Sequence, residues 1–316
     1  MSVELHVFET VLAFALVVLL AALLRQLRVV KQDDTAVFAR LLTEAVLPVV
    51  IFSQLATNPI ASRQLLLVLA MFIAGVASLT AAWLAGVALR LDRPRIGALM
   101  ITSAFGSSAL LGYPLVQYAF PNDPQAMTDA ILVSELGVGL PIFILCPAIA
   151  MYFGNRTAQA VSVRSVMLEY FRSPIFIAVV AGLIAARLPI NPDQVLFAPV
   201  FEAMRMINGS LTVLACLILG LQLKFVAPKN ILVLVLVSAL IQMGLQPWVA
   251  GLQATLYHLT AEQRHVLVLI SSLPSAVLGP VFAVRFNCDA ELASALVFIN
   301  ILLSLVSVPA VFGMLS

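Results

Sequence analysis

The chain has 316 residues, of which 62% are hydrophobic and only 10% are Asp, Glu, Lys or Arg, with a formal net charge of +2. A soluble domain has about a quarter of its residues charged, so a soluble globular protein is excluded. There is no basic cluster to bind nucleic acid, and three scattered cysteines (Cys146, Cys216, Cys288) indicate neither a disulfide framework nor a metal site.

Apolar segments predict ten membrane-spanning helices near 5–25, 38–56, 65–89, 96–119, 126–152, 172–188, 199–222, 230–257, 262–286 and 290–314. At ~1.5 Å per residue each can cross a ~30 Å hydrocarbon core, whereas a transmembrane β-barrel would alternate in ~10-residue strands. The first segment does not read as a secretory signal. Glu4 stands where a positive region belongs, and Arg25, Arg28 and Lys31 follow the apolar run. The sixth segment is short, and Glu202 and Arg205 interrupt the seventh. Pro94, Pro121, Pro124, Pro189, Pro192 and Pro228 fall between segments, where a missing N–H is tolerated.

Thirteen of the seventeen Lys and Arg residues lie in or beside the loops that follow segments 1, 3, 5, 7 and 9. Arg63, Arg187, Arg205 and Arg264 hold the other side. The positive-inside bias predicts an inner-membrane protein with both termini extracytoplasmic.

The two halves look like copies. The only tryptophans stand in Trp83-Leu-Ala-Gly86 and Trp248-Val-Ala-Gly251, and 248 − 83 = 165. Near the same offset, Ser108-Ala-Leu-Leu-Gly-Tyr-Pro114 meets Ser275-Ala-Val-Leu-Gly-Pro280, and Met127–Ala130 meets Leu292–Ala295. Two copies of five helices must be inverted in the membrane, which places segments 4 and 9 opposite each other. The predicted domains are therefore repeats 1–157 and 158–316.

The repeated segment plants helix breakers in segments 4 and 9. Pro114 and Pro280 lack an N–H, Gly112 and Gly279 tolerate unusual torsions, and segment 9 adds a second proline at Pro274, five residues before Gly279. Lipid cannot satisfy freed backbone groups, so such breaks persist only inside protein or beside a water-filled cavity. Broken helices at matching places in two halves point to a transporter's binding site, and half-helix N-termini attract anions. A simple proline kink is the competing reading. Candidate substrate-binding residues are Ser107, Ser108, Gly112, Tyr113, Pro114 and Gln117, with Ser272, Pro274, Ser275, Gly279 and Pro280. Serines in membrane helices also commonly bond their own backbone.

Glu135 lies mid-way along segment 5, and 300 − 135 = 165 puts Asn300 at the matching point of segment 10. An intramembrane carboxylate is a functional-site hypothesis by default, and a structural bond to the breaks is the alternative. Both residues are candidates for coupling to H+ or Na+.

Leu111-Gly-Tyr-Pro-Leu115, Leu273-Pro-Ser-Ala276, Leu47-Pro-Val-Val-Ile-Phe52, and Asp289-Ala-Glu-Leu-Ala-Ser294 leading to Val308-Pro309 resemble the auxin efflux carrier family in order over nearly the whole chain. The resemblance implies a ten-helix fold of two inverted five-helix repeats with crossed, broken helices 4 and 9. It further implies a scaffold of helices 1, 2, 6 and 7, a moving unit of helices 3–5 and 8–10, dimerisation, and secondary transport of an organic anion. Members carry an Asn near the helix 4 break where this chain has Gly106-Ser-Ser108. That difference favours a small carboxylate held by helix N-termini and hydroxyls over an indole carboxylate. No resident cofactor is expected. The alternatives are a sodium-coupled organic-anion symporter of the bile-acid type and, in another class, a channel or receptor. No His-Glu-x-x-His or Gly-x-Gly-Asp motif suggests an intramembrane enzyme.

Overall fold

A computed structural model describes residues 3–31, 34–58, 61–154, 163–188, 194, 197–222 and 231–315. The 157/158 repeat boundary and Arg156, Pro189, Pro192, Lys224, Pro228 and Lys229 lie outside them. The described chain is all helical, with one isolated antiparallel bridge and no strand.

In chain order, α1 spans Val3–Gln26. Helices α2 (Thr35–Leu41) and α3 (Leu47–Thr57) are joined through a π-helical stretch at Leu42–Val46, and α4 spans Gln64–Ala88. Helix α5 (Arg93–Ser103) stops in mid-span, and the chain resumes as a π stretch at Ser108–Gly112 and α6 (Tyr113–Ala119). Helices α7 (Pro124–Leu132) and α8 (Leu140–Phe153) are continuous through a π stretch at Val133–Gly139. The second half holds α9 (Val163–Phe171), α10 (Pro174–Ala185), α11 (Ala198–Asn208) and α12 (Leu211–Gln222). Helices α13 (Leu232–Leu240) and α14 (Gln246–Leu256) run through a π stretch at Ile241–Leu245. Helix α15 (Ala261–Ser271) stops in mid-span before α16 (Leu278–Arg285), and α17 (Ala290–Leu315) ends the chain.

Among the described residues, seven helical runs are long and apolar enough to cross a membrane: Val7–Gln26, Thr35–Thr57, Gln64–Ala88, Gln125–Phe153, Ala198–Leu221, Leu232–Leu256 and Ala290–Leu315. They coincide with seven of the ten sequence segments. The other three are the short sixth, which forms only α10 and is preceded by α9 at a bend of 52°, and the two interrupted segments, 4 and 9. The molecule is a polytopic helical membrane protein. Helix α1 shows why: Phe8, Leu12, Leu16, Leu19 and Leu23 are exposed, while Val7, Val11, Phe14 and Val18 face the protein. A helix apolar on all sides suits lipid on one face and protein on the other.

Two groups of helices can be distinguished, joined through α1, which packs on α6 and α17 as well as on α12. Helix α3 lies against α10 and α11, and α12 lies against α1 and α2. Helices α4, α5, α8 and α13–α17 form the second group, with α5 touching α4, α8, α16 and α17.

The π stretches have a common cause. In each continuous helix, a proline stands two residues beyond the stretch: Pro48 after Val46, Pro114 after Gly112, Pro141 after Gly139 and Pro247 after Leu245. Proline offers no N–H to the carbonyl one turn back and its ring crowds that carbonyl. Widening the preceding turn relieves both problems without a kink, and such π turns recur at functional sites.

Candidate functional site

The two interrupted helices meet at their breaks. Residues 104–107 and 272–277 leave the helical path, and Gly106 pairs with Ser275 as an antiparallel bridge. The Ser107 N–H donates to Pro274 O (2.8 Å) and the Ala276 N–H to Phe105 O (2.9 Å). Two further carbonyls freed by the breaks are met by amides of the α13–α14 run. Gln246 Nε2 donates to Ala104 O (2.7 Å) and Gln242 Nε2 to Leu273 O (3.2 Å). Gln242 Nε2 also donates to Gln246 Oε1 at 2.6 Å. Both amides are fully buried, and every bond they make replaces one that lipid could not supply.

Of the breakers predicted from sequence, Pro274 lies within a break and the others sit elsewhere. Pro114 is the second residue of α6 and Pro280 the third of α16. Pro280 thus lies in a first helical turn, where the missing N–H has no partner to lose, whereas Pro114 follows the π stretch that opens its half-helix. Gly112 and Gly279 are instead points of close approach. A Cβ on Gly112 would lie 2.6 Å from Ile270 Cδ1, and one on Gly279 would lie 2.9 Å from Thr102 Cγ2. Each second half-helix thus rests its glycine on the first half of the other.

A cavity of about 370 Å³ opens beside the crossing. The start of each second half-helix lines it, with Ser107, Ser108, Ala109 and Leu110 from one and Ala276, Val277 and Leu278 from the other. Ser134, Glu135 and Val138 enter from the π stretch of α7–α8, and Leu42 and Thr43 from that of α2–α3. Tyr170, Ser173, Ile175 and Ile218 close the far wall. Ala39, Phe143, Ser173 and Ile218, which also line it, lie on the parts of their helices toward the 89–92 and 286–289 loops, so the cavity faces that side.

Hydrogen bonds fix the polar groups. Ser134 Oγ donates to Ser108 Oγ at 2.7 Å. The buried Tyr113 hydroxyl donates to Glu135 Oε1 at 2.5 Å, and Tyr170 donates to the Glu135 carbonyl at 3.1 Å. On the other side of the crossing, Asn300 Nδ2 donates to Ser275 Oγ (2.8 Å) and Ser238 Oγ (2.9 Å). Ser103 Oγ also donates to Ser238 Oγ at 2.9 Å.

The structure therefore brings Ser107, Ser108 and Glu135 together on one cavity, with Tyr113 directly beneath. Ser275 and Asn300 stay in the buried seam of the crossing. Ser272 Oγ donates to Leu269 O (2.8 Å) within its own helix. Pro114 faces a separate space of about 400 Å³ beside α1 and α12. Gln117 faces another of about 190 Å³ with Gln54 and Asn208. Pro274 borders a narrow apolar gap against α1 and α17, and Pro280 is half-buried on α16.

Sequence reasoning missed Gln242, Gln246, Ser134, Ser238 and Tyr170. Gln242 and Gln246 left a readable signal, two amides four residues apart in an apolar run and so on one helix face. Tyr170 left none.

Chemically, the cavity presents two half-helix N-termini, whose first N–H groups have no partner inside their own helix and carry a partial positive charge. Hydroxyls of Ser107 and Ser108 lie beside them, and no Lys or Arg is among the described lining residues.

A family model described as "Membrane transport protein" matches residues 6–312. The chain is 26% identical over 306 residues to an uncharacterized transporter of Methanothermobacter thermautotrophicus, covering 95% of this chain and 96% of that one. It is 21% identical over 304 residues to an uncharacterized transporter of Methanocaldococcus jannaschii, covering 94% and 95% respectively. These relatives, like the family, are transporters and not enzymes. The apolar spans, the crossed breaks and the match over nearly the whole length agree, and the chain belongs to the membrane transport protein family, that of the auxin efflux carriers.

Proposed function

We propose that the protein is a secondary carrier that exports small organic anions, carboxylates above all, by alternating access around the crossing of the two broken helices. The observation that carries this reading is the cavity of about 370 Å³ on which both half-helix N-termini open. Its size suits a small solute, and its polar groups are dipoles and hydroxyls rather than fixed cations. Its walls come from both packing groups: Leu42, Thr43, Ile175 and Ile218 on one side, and the two breaks with Glu135 on the other. That division supports a scaffold of segments 1, 2, 6 and 7 and a moving unit of segments 3–5 and 8–10. The paired breaks likewise support ten spans in two inverted repeats. In this reading the protein is a homodimer in the inner membrane with both termini extracytoplasmic, and the cavity faces the cytoplasm.

A thermal-unfolding screen of purified protein against mono- and dicarboxylates tests the ligand class. A carboxylate at a hundredfold excess over its Kd stabilises the folded state by about 2.7 kcal/mol. Ser107→Leu, which fills the cavity beside the crossing, should abolish that gain. A screen in which no carboxylate raises the unfolding temperature, or in which Ser107→Leu keeps the gain, would remove the reading.

One observation favours cation coupling as a second reading. Gln242 Oε1 and Asn300 Oδ1 are buried acceptors with no hydrogen-bond partner among the described residues, and both belong to amides that brace the crossing. Buried acceptors of this kind are costly unless something satisfies them, and oxygen ligands suit a hard cation. Sodium should then stabilise the protein relative to choline, and Asn300→Ala should erase the difference. Equal stability in the two salts would leave protons as the only coupling ion.

A further inference from the structure

Segment 5 carries a second buried carboxylate that the crossing does not use. Asp129 lies in α7, is 3% exposed, and accepts a hydrogen bond from the buried Gln64 Nε2 of α4. Six residues separate it from Glu135, or ~9 Å along the helix axis at ~1.5 Å per residue. The two groups open in opposite directions. Glu135 lines the cavity facing the 89–92 and 286–289 loops, whereas Asp129 lines a crevice of about 750 Å³ at the 120–123 and 257–260 loops.

The crevice is polar and acidic. Asp123, Asp129 and Glu262 line it with Gln64, Gln125 and Gln263, and no Lys, Arg or His is among the described lining residues. The helices packed on α7 add few titratable groups. Helix α3 has none, α6 brings Tyr113 and Tyr118, α4 begins after Arg63, and α15 brings Glu262, Arg264 and His265. Tyr113 is bound to Glu135, Arg264 donates twice to Leu315 O, and the His265 ring stacks on Phe120. A mouth lined by carboxylates concentrates protons and other cations ahead of the buried group.

We propose that Asp129 is a proton-loading site for the crevice side, so that segment 5 holds one exchangeable carboxyl group for each face of the membrane. Asp129 takes protons from the side of the 120–123 loop, and Glu135 exchanges them with the cavity side. A buried carboxylate one to two turns inside a membrane helix, held by one neutral amide and reached from one side only, suits proton exchange better than a purely structural bond. The assignment deepens the carrier reading and gives its coupling ion an entry point.

One-sided chemical modification tests it without any transported solute. A quaternary-ammonium carbodiimide, which does not cross the bilayer, activates protonated carboxyl groups, and added glycine ethyl ester traps them as amides that mass spectrometry locates. In sealed vesicles, Asn122→Cys labelled by an impermeant maleimide reports which side the 120–123 loop occupies. From that side Asp129 should react at least an order of magnitude faster than Glu135, and its modification should fall as pH is raised. From the opposite side the preference should reverse. Asp129 unreactive from both faces, reactive only from the cavity face, or modified equally at every pH would overturn the proposal. Because no carboxylate substrate is used, that failure would be distinct from a negative thermal-shift screen.

Discussion

Gly106→Leu should cost the protein its folded state, whereas Gly106→Ala should be tolerated. Gly106 sits where the breaks pair, and a Cβ there would lie 3.2 Å from both Gln242 Nε2 and Leu273 O. A methyl group needs the neighbours to yield by a few tenths of an ångström. A leucine has to displace the Gln242 amide and push the two chains apart. Four hydrogen bonds depend on that contact: Ser107 to Pro274, Ala276 to Phe105, Gln242 to Leu273 and Gln246 to Ala104. Leaving a buried group unpaired costs roughly 1–3 kcal/mol, and overpacking a tight site adds about 1–3 kcal/mol. Loss of two of the four bonds then removes on the order of 5 kcal/mol, comparable with the whole stability of many domains. Thermal unfolding of the purified variants checks this, and a Gly106→Leu protein as stable as the parent would show that the crossing is not held by these bonds.

Gln246→Leu probes the same seam more gently. It removes the donor to Ala104 O and leaves Gln242 Nε2 with Leu273 O alone. A loss of roughly 1–3 kcal/mol is expected in the same assay, for one orphaned buried carbonyl.

Much of the fold was legible because membrane spans obey one simple rule, apolar length. The seven uninterrupted runs fall on predicted segments for that reason. The breaks were legible in number and partner but misplaced in position. Proline was read as the breaker, yet Pro280 occupies a first turn where proline is at home, Pro114 lies beyond a π stretch, and only Pro274 falls within a break. The chain actually leaves the helix at Ala104–Ser107, a stretch whose only unusual residue is Gly106, and at Ser272–Val277 around Pro274. Glu135 stood out because a carboxylate in an apolar run is expensive. Asp129 did not, being only a few residues inside segment 5, where sequence alone cannot tell a wet helix end from a buried one. Its burial depends on Gln64, 65 residues earlier, and no local pattern encodes that contact.

Glu135→Gln should leave the fold intact and remove the pH dependence of transport. Gln keeps an acceptor for the Tyr113 hydroxyl and fills nearly the same volume, so the buried bond at 2.5 Å has a replacement. It cannot take or lose a proton in the accessible range. If Glu135 exchanges protons with the cavity, uptake of the best stabilising carboxylate into proteoliposomes should become flat with pH. Uptake driven by a proton gradient should fall tenfold or more, equivalent to about 1.4 kcal/mol in the transition state. Glu135→Leu separates this chemistry from packing. It leaves the Tyr113 hydroxyl, buried at 0% exposure, without its acceptor, so it should also lower stability by roughly 1–3 kcal/mol. A Glu135→Gln protein with an unchanged pH profile and full gradient-driven uptake would make the carboxyl a brace between α6 and α8. Ion coupling would then have to rest on Asp129 or on the acceptors of Gln242 and Asn300.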